Sequence, residues 1–75
     1  MKITLKLVGG FIYTVGFSEK VLDVEPGTTV ADLLTLIAID RRMPMVIARN
    51  GVGARDEEVV EPGDRVMVAP VFSGG

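Results

Sequence analysis

The chain closes on Ser73-Gly74-Gly75, and the Gly75 carboxylate is its least hindered functional group. Glycine has no Cβ and accepts backbone geometries closed to other residues. Two in succession let a tail thread a narrow channel and present its carboxylate to an enzyme. An α-carboxyl titrates near about 3.5, so this group is ionised at neutral pH. The competing reading is a frayed end, since chain termini are commonly disordered. Two other groupings invite chemistry and fail on spacing. Gly51-Val52-Gly53 has the look of a phosphate loop, but no Gly-Lys-Ser/Thr follows and no helix opens there. Asp56, Glu57, Glu58, Glu61 and Asp64 match no calcium loop, so no metal site is expected and they read as a solvated acidic edge. Such an edge would steer the protein toward a basic surface.

Composition removes most catalytic options. The 75 residues contain no Cys and no His. Thiolate chemistry, a zinc-thiolate site, the commonest general base and the commonest transition-metal ligand all go with them. A self-contained hydrolase or metalloenzyme is not expected. Eight Lys and Arg against ten Asp and Glu leave a net charge of −2, and aromatics make up only 5%. Neither value suits nucleic-acid binding. No apolar run approaches the roughly 20 residues of a membrane span. Met1-Lys2 and the apolar residues after it read as a strand rather than a signal peptide, because Lys6 interrupts them. A cytoplasmic protein is expected. Its length is that of one domain, 1–75, with about half its residues apolar to fill a core.

The elements that must position the tail follow from periodicity. Residues 2–8 alternate polar and apolar, which predicts a half-buried strand. Gly9, Gly10 and Gly16 predict a turn or loop over 9–16. A second strand is expected over 17–25, with Leu22 and Val24 on one face and Asp23 and Glu25 on the other. Pro26-Gly27 ends it. Thr29 and Asp32 then fit a capping box, and Val30, Leu33, Leu34 and Ile37 make one helical face. Arg41 and Arg42 are placed at the helix C-terminus, where its dipole favours cations, and Pro44 stops continuation. Residues 45–49 read as a short buried strand and Asn50-Gly51 as a turn. Residues 52–58 look irregular, and Val59-Val60 suggests a brief strand or bridge. Pro62-Gly63-Asp64 makes another turn. The last strand, 65–69, puts Val66 and Val68 on its core face and Met67 and Ala69 on the other, and pairing should stop at Pro70, which has no N–H. Val71 to Gly75 should then leave as a flexible tail. The order predicts an α+β fold of the β-grasp (ubiquitin-like) type: a mixed sheet of four or five strands, one helix on one face, and the first and last strands parallel at the centre.

Val24-Glu25-Pro26-Gly27-Thr28-Thr29-Val30-Ala31-Asp32-Leu33-Leu34, Ala48-Arg49-Asn50-Gly51, Pro62-Gly63-Asp64 and the terminal Gly74-Gly75 together carry a resemblance over essentially the whole chain. It resembles the ubiquitin-like sulfur carriers, of the type of the molybdopterin synthase small subunit and the thiamine-pathway sulfur carrier. The stretch from Gly63 to Gly75, with Pro70 and with Ser73 before the glycines, is most similar to the molybdopterin type. Phe72 departs from that pattern, where a smaller aliphatic is usual. Archaeal small modifier proteins and the eukaryotic ubiquitin-related modifier share the same ending.

The resemblance implies a carrier without catalysis of its own. An E1-like enzyme would adenylate the Gly75 carboxylate with ATP, and a persulfide from a sulfurtransferase or cysteine desulfurase would convert it to a thiocarboxylate. The sulfur would pass to a molybdopterin synthase large subunit or a thiazole synthase. This chain would bind no cofactor itself. Gly74 and Gly75 serve access to the enzyme. Partner contact is expected on the sheet face away from the helix, through Met67, Val71, Phe72 and Ser73, unless Phe72 folds back into the core. The readings left open are a sulfur carrier for molybdopterin or thiamine, a protein modifier conjugated through Gly75, and a plain β-grasp interaction module.

Overall fold

The computed structural model describes residues 1–71; Phe72 to Gly75 lie outside the described residues. The strands are β1 (Lys2–Leu7), β2 (Glu19–Asp23), β3 (Met45–Arg49), β4 (Val52–Gly53) and β5 (Arg65–Pro70). They form one mixed sheet in the order β2-β1-β5-β3-β4. β1 pairs in parallel with β5, with Leu5 beside Val66 and Leu7 beside Val68. β2 and β3 run antiparallel to their neighbours. This is the β-grasp arrangement, with two helices among the described residues, α1 (Phe11–Val15) and α2 (Val30–Leu36), rather than one.

Alternation along the strands builds the core. Ile3, Leu5 and Leu7 of β1 and Val66 and Val68 of β5 point to the inner face and are buried. Val30, Leu33 and Leu34 of α2 close over them with Phe11, Ile39 and Val60. Burial of one such side chain contributes about 2 kcal/mol.

The first turn of α2 leaves no orphan donor. The Asp32 N–H donates to the Thr29 hydroxyl (3.2 Å), and the Asp32 carboxylate accepts from the Thr29 N–H (3.0 Å), completing the expected capping box. The Val30 and Ala31 N–H groups donate to the Glu58 and Asp56 carbonyls. An isolated bridge between Thr29 and Val59 completes this stitch. A helix N-terminus otherwise exposes these donors to water.

Three expectations fail here for local reasons. Residues 9–16 hold a one-turn helix, not only a loop. Its C-cap Gly16 lies at φ +106°, and Phe11 enters the core. Five residues are too few to display a helical period. Next, α2 stops at Leu36, so Arg41 and Arg42 do not sit in its last turn. Ala38, at φ +55°, reverses the chain. Its N–H donates to the Thr35 carbonyl and that of Ile39 to the Leu34 carbonyl, the two bonds of a Schellman ending. Arg41 instead pairs with Asp56 at 2.7 Å, and Arg42 with Asp40 at 3.1 Å. Finally, β3 is not uniformly buried: Met45 and Ile47 pack on the core while Val46 is 49% exposed on the outer face.

The left-handed Ala38 is strained, because a Cβ there crowds the following carbonyl. Ala38→Gly is expected to raise stability by up to about 1 kcal/mol, read as a higher thermal midpoint.

Candidate functional site

The tail is rooted by β5, which lies in the middle of the sheet. Held between β1 and β3, it delivers Pro70 and Val71 at one end of the sheet. Pairing runs further than the proline suggested. Met45 is registered with Pro70, and the Val71 N–H donates to the Pro44 carbonyl at 3.3 Å. The Pro70 ring lies against Gly9, which sits at φ +63°; a Cβ there would meet Pro70 Cγ at 3.2 Å. Gly9 thus serves both a backbone reversal and a close approach.

The outer face of the sheet leads to this root. Arg65, Met67, Ala69 and Val71 follow one another at the two-residue period of β5. Ala48 flanks Met67, and Val46 flanks Ala69. Lys6 flanks Met67 from the other side. Met67 and Ala69 are half-buried, whereas Val46 and Val71 are each 49% exposed. A depression of about 320 Å³ is lined by Lys6, Ala48, Asn50, Arg65 and Met67 among others. An unbranched thioether beside small and branched aliphatics makes an adaptable apolar contact surface. Met67 and Val71 therefore share one face, while Phe72, Ser73, Gly74 and Gly75 lie outside the described residues. Val46, Ala48 and Lys6 join the face unforeseen; the alternation used for β5 would have found them in β1 and β3.

The acidic edge is not a uniformly solvated feature. Asp64 is 7% exposed. Its carboxylate accepts from Arg49 Nε (2.6 Å), Asn50 Nδ2 (2.9 Å) and the Glu61 N–H (2.8 Å). Asn50 Oδ1 accepts in turn from the Arg65 N–H at 2.8 Å. Glu58 accepts from Arg49 and from the Arg55 N–H, and Asp56 is paired with Arg41. Among the described residues no group of acids is placed to hold a metal ion. The network fastens the Asn50-Gly51 turn, where φ is +52° and +82°, to the Pro62-Gly63 turn and the start of β5. Burial pushes the Asp64 carboxyl up. Hydrogen bonds from Asn50, the Glu61 N–H and Arg49, with the charge of Arg49, outweigh it and hold the group below the usual carboxylate range.

Sheet order, helix packing and a tail root at the centre of the sheet together define a ubiquitin-like β-grasp protein. The chain belongs to the ThiS family, whose model matches residues 5–75. No match was found among curated proteins. Among solved structures, SAMP1 from Haloferax volcanii is 26% identical with a TM-score of 0.83, covering 100% of both chains. A putative molybdopterin converting factor subunit 1 from Pyrococcus furiosus is 25% identical with a TM-score of 0.81, covering 93% of this chain and 97% of that one. Subunit 1 of the Helicobacter pylori molybdopterin-converting factor, solved in complex with subunit 2, has a TM-score of 0.67 over 100% of both chains; at 14% identity that likeness is one of fold alone.

Asp64→Ala is expected to cost about 2 kcal/mol, because it removes one of the two carboxylates that hold Arg49 and leaves the Asn50 amide and the Glu61 N–H without their acceptor. Calorimetry or urea unfolding checks this. Because the folded Asp64 pKa is depressed, its contribution is present above the unfolded carboxylate value near about 4 and is lost as pH falls through the folded value. Asp64→Asn is expected to flatten the acid limb of the stability–pH curve.

Proposed function

We propose that this chain is a sulfur carrier that delivers sulfur as a Gly75 thiocarboxylate, most specifically in molybdopterin assembly. The observation that carries the reading is that the ThiS-family match runs through Ser73-Gly74-Gly75. The likeness to a putative molybdopterin converting factor subunit supports the pathway.

In this reading a Gly75 carboxylate oxygen attacks the α-phosphorus of ATP on an E1-like enzyme, and pyrophosphate leaves. The terminal sulfur of a persulfide, supplied by a sulfurtransferase or cysteine desulfurase, attacks the acyl carbon, and AMP leaves with the bonding pair. A second donor-side thiol then takes the S–S bond, leaving the thiocarboxylate here and a disulfide there. Every group that moves a proton or polarises a phosphate belongs to a partner. This chain contributes the carboxylate, an unhindered Gly74-Gly75 approach, and an apolar face at Val46, Met67 and Val71 that seats the body while the tail is engaged. From Val71 a fully extended tail reaches about 14 Å, so docking must bring the active site within that span of the sheet end. In this reading the later partner is a molybdopterin synthase large subunit.

A second reading is that the same adenylate ends in an isopeptide bond to a lysine. It is favoured by the likeness to SAMP1, which spans both chains completely. Conjugate ladders in the native host, dependent on Gly75, would mark that outcome.

Incubation with the activating enzyme, ATP and a sulfur donor is expected to add the mass of one oxygen-to-sulfur exchange. Gly75→Val and deletion of Gly75 should each abolish the gain while leaving the melting midpoint unchanged; a normal yield from either overturns the proposal. Met67→Glu and Phe72→Ala should each weaken binding to the activating enzyme about tenfold or more with the fold intact, since each removes an apolar contact from a docked face.

A further inference from the structure

A second concave surface lies on the opposite side of the sheet from the face that leads to the tail. Val15, Phe17, Lys20, Leu22, Leu36 and Ile37 line a depression of about 420 Å³ between β2 and the end of α2. Leu36 is 63% exposed there. Lys20 leans over the Phe17 ring at 5.7 Å from its centre. Among the described residues Lys20 makes no salt bridge.

This depression borders a strand edge with free backbone groups. β2 is the terminal strand of the sheet. The Val24 N–H donates to the Met1 carbonyl and the Leu7 N–H to the Ser18 carbonyl, both at 2.8 Å. Bonded pairs alternate in an antiparallel ladder, so Lys20 and Leu22 turn their peptide groups toward β1. Glu19, Val21 and Asp23 turn theirs away, as a row of donors and acceptors unpaired among the described residues. A second copy added symmetrically about Val21 would set Glu19 opposite its Asp23 at both ends, and facing like charges disfavour that register.

We propose that the β2 edge and the adjoining groove dock an extended peptide segment of another protein. The segment adds as a sixth strand, sets alternate aliphatic side chains against Phe17, Leu22 and Leu36, and places a carboxylate at Lys20. Backbone bonds supply the general attraction, and the groove with Lys20 supplies the choice. Peptide capture here leaves the outer face and the tail accessible, so this site and the sulfur-carrier reading stand or fall separately.

The test is amide-resolved NMR of the full chain titrated with acetyl-Thr-Asp-Thr-Ile-Thr-Ile-Thr-Asp-Thr-amide, whose Ile and Asp side chains share one strand face. Saturable shifts at Glu19, Val21, Asp23, Leu36 and Ile37, half-complete below about 1 mM, are expected. Lys20→Glu should weaken binding about threefold, as should Lys in place of Asp in the peptide. Val21→Pro, which deletes a donor facing away from β1, should weaken it about fivefold or more. Leu36→Ser offers the same loss at an exposed position should the proline disturb the fold. Shifts confined to Val46, Met67 and Val71, no saturable shifts, indifference to peptide charge, or self-association through β2 in a dilution series would each overturn the proposal.

Discussion

A strand with a partner on each side is the constraint from which the rest of this molecule follows. β5 pairs in parallel with β1 and antiparallel with β3. Parallel neighbours cannot be joined by a tight turn, so the chain between them must cross over the sheet and return. That crossover carries α2, and α2 covers the inner face that Leu5, Leu7, Val66 and Val68 present. Among the described residues, the same central placement leaves the outer face of β5, from Arg65 to Ala69, without a covering element. The strand that completes the core therefore also carries the tail, and side-chain alternation separates the two duties.

Polar groups hold the loops that this topology requires. Parallel pairing brings the start of β5 beside the middle of β1, and the approach passes through two turns. Asp64 joins them by accepting from both sides, and Asn50 passes the connection to the Arg65 N–H. Such a buried carboxylate stabilises only while every lone pair has a donor and the facing guanidinium stays in place. Arg49 is bonded both to Asp64 and to Glu58, which fixes its guanidinium from two directions.

Much of this architecture is legible in the chain. Thr29 and Asp32 announce the start of α2 because capping is a local exchange of hydrogen bonds. Asn50-Gly51 announces the turn after β3 because both residues tolerate positive φ, but Val52–Gly53 pairs back on β3 as β4 where an irregular stretch was expected. Val66 and Val68 are identifiable as core from a two-residue period alone. What escaped notice depends on tertiary contact or on an unusual residue. Ala38 takes the left-handed position that usually belongs to glycine, so the end of α2 carries no local mark. Phe11 becomes helical in a segment of five residues, where the glycines around it are the stronger signal. Asp64 reads as one more surface acid until Arg49 and Asn50 fold against it. Of the candidate site, Met67 and Val71 share a face by the rule that placed Val66 and Val68, whereas Phe72 to Gly75 belong to the tail, where the case rests on residue type and family.

The β1–β5 pairing also has a mechanical meaning. The chain enters at the start of β1 and departs at the end of β5, and the two strands point the same way. Tension applied between the first residue and the tail therefore slides one strand along the other. All the ladder bonds between them are loaded together, where a hairpin pulled from its open end would release them one at a time. A pull between the first residue and the tail therefore meets the β1–β5 ladder in shear rather than peeling it open.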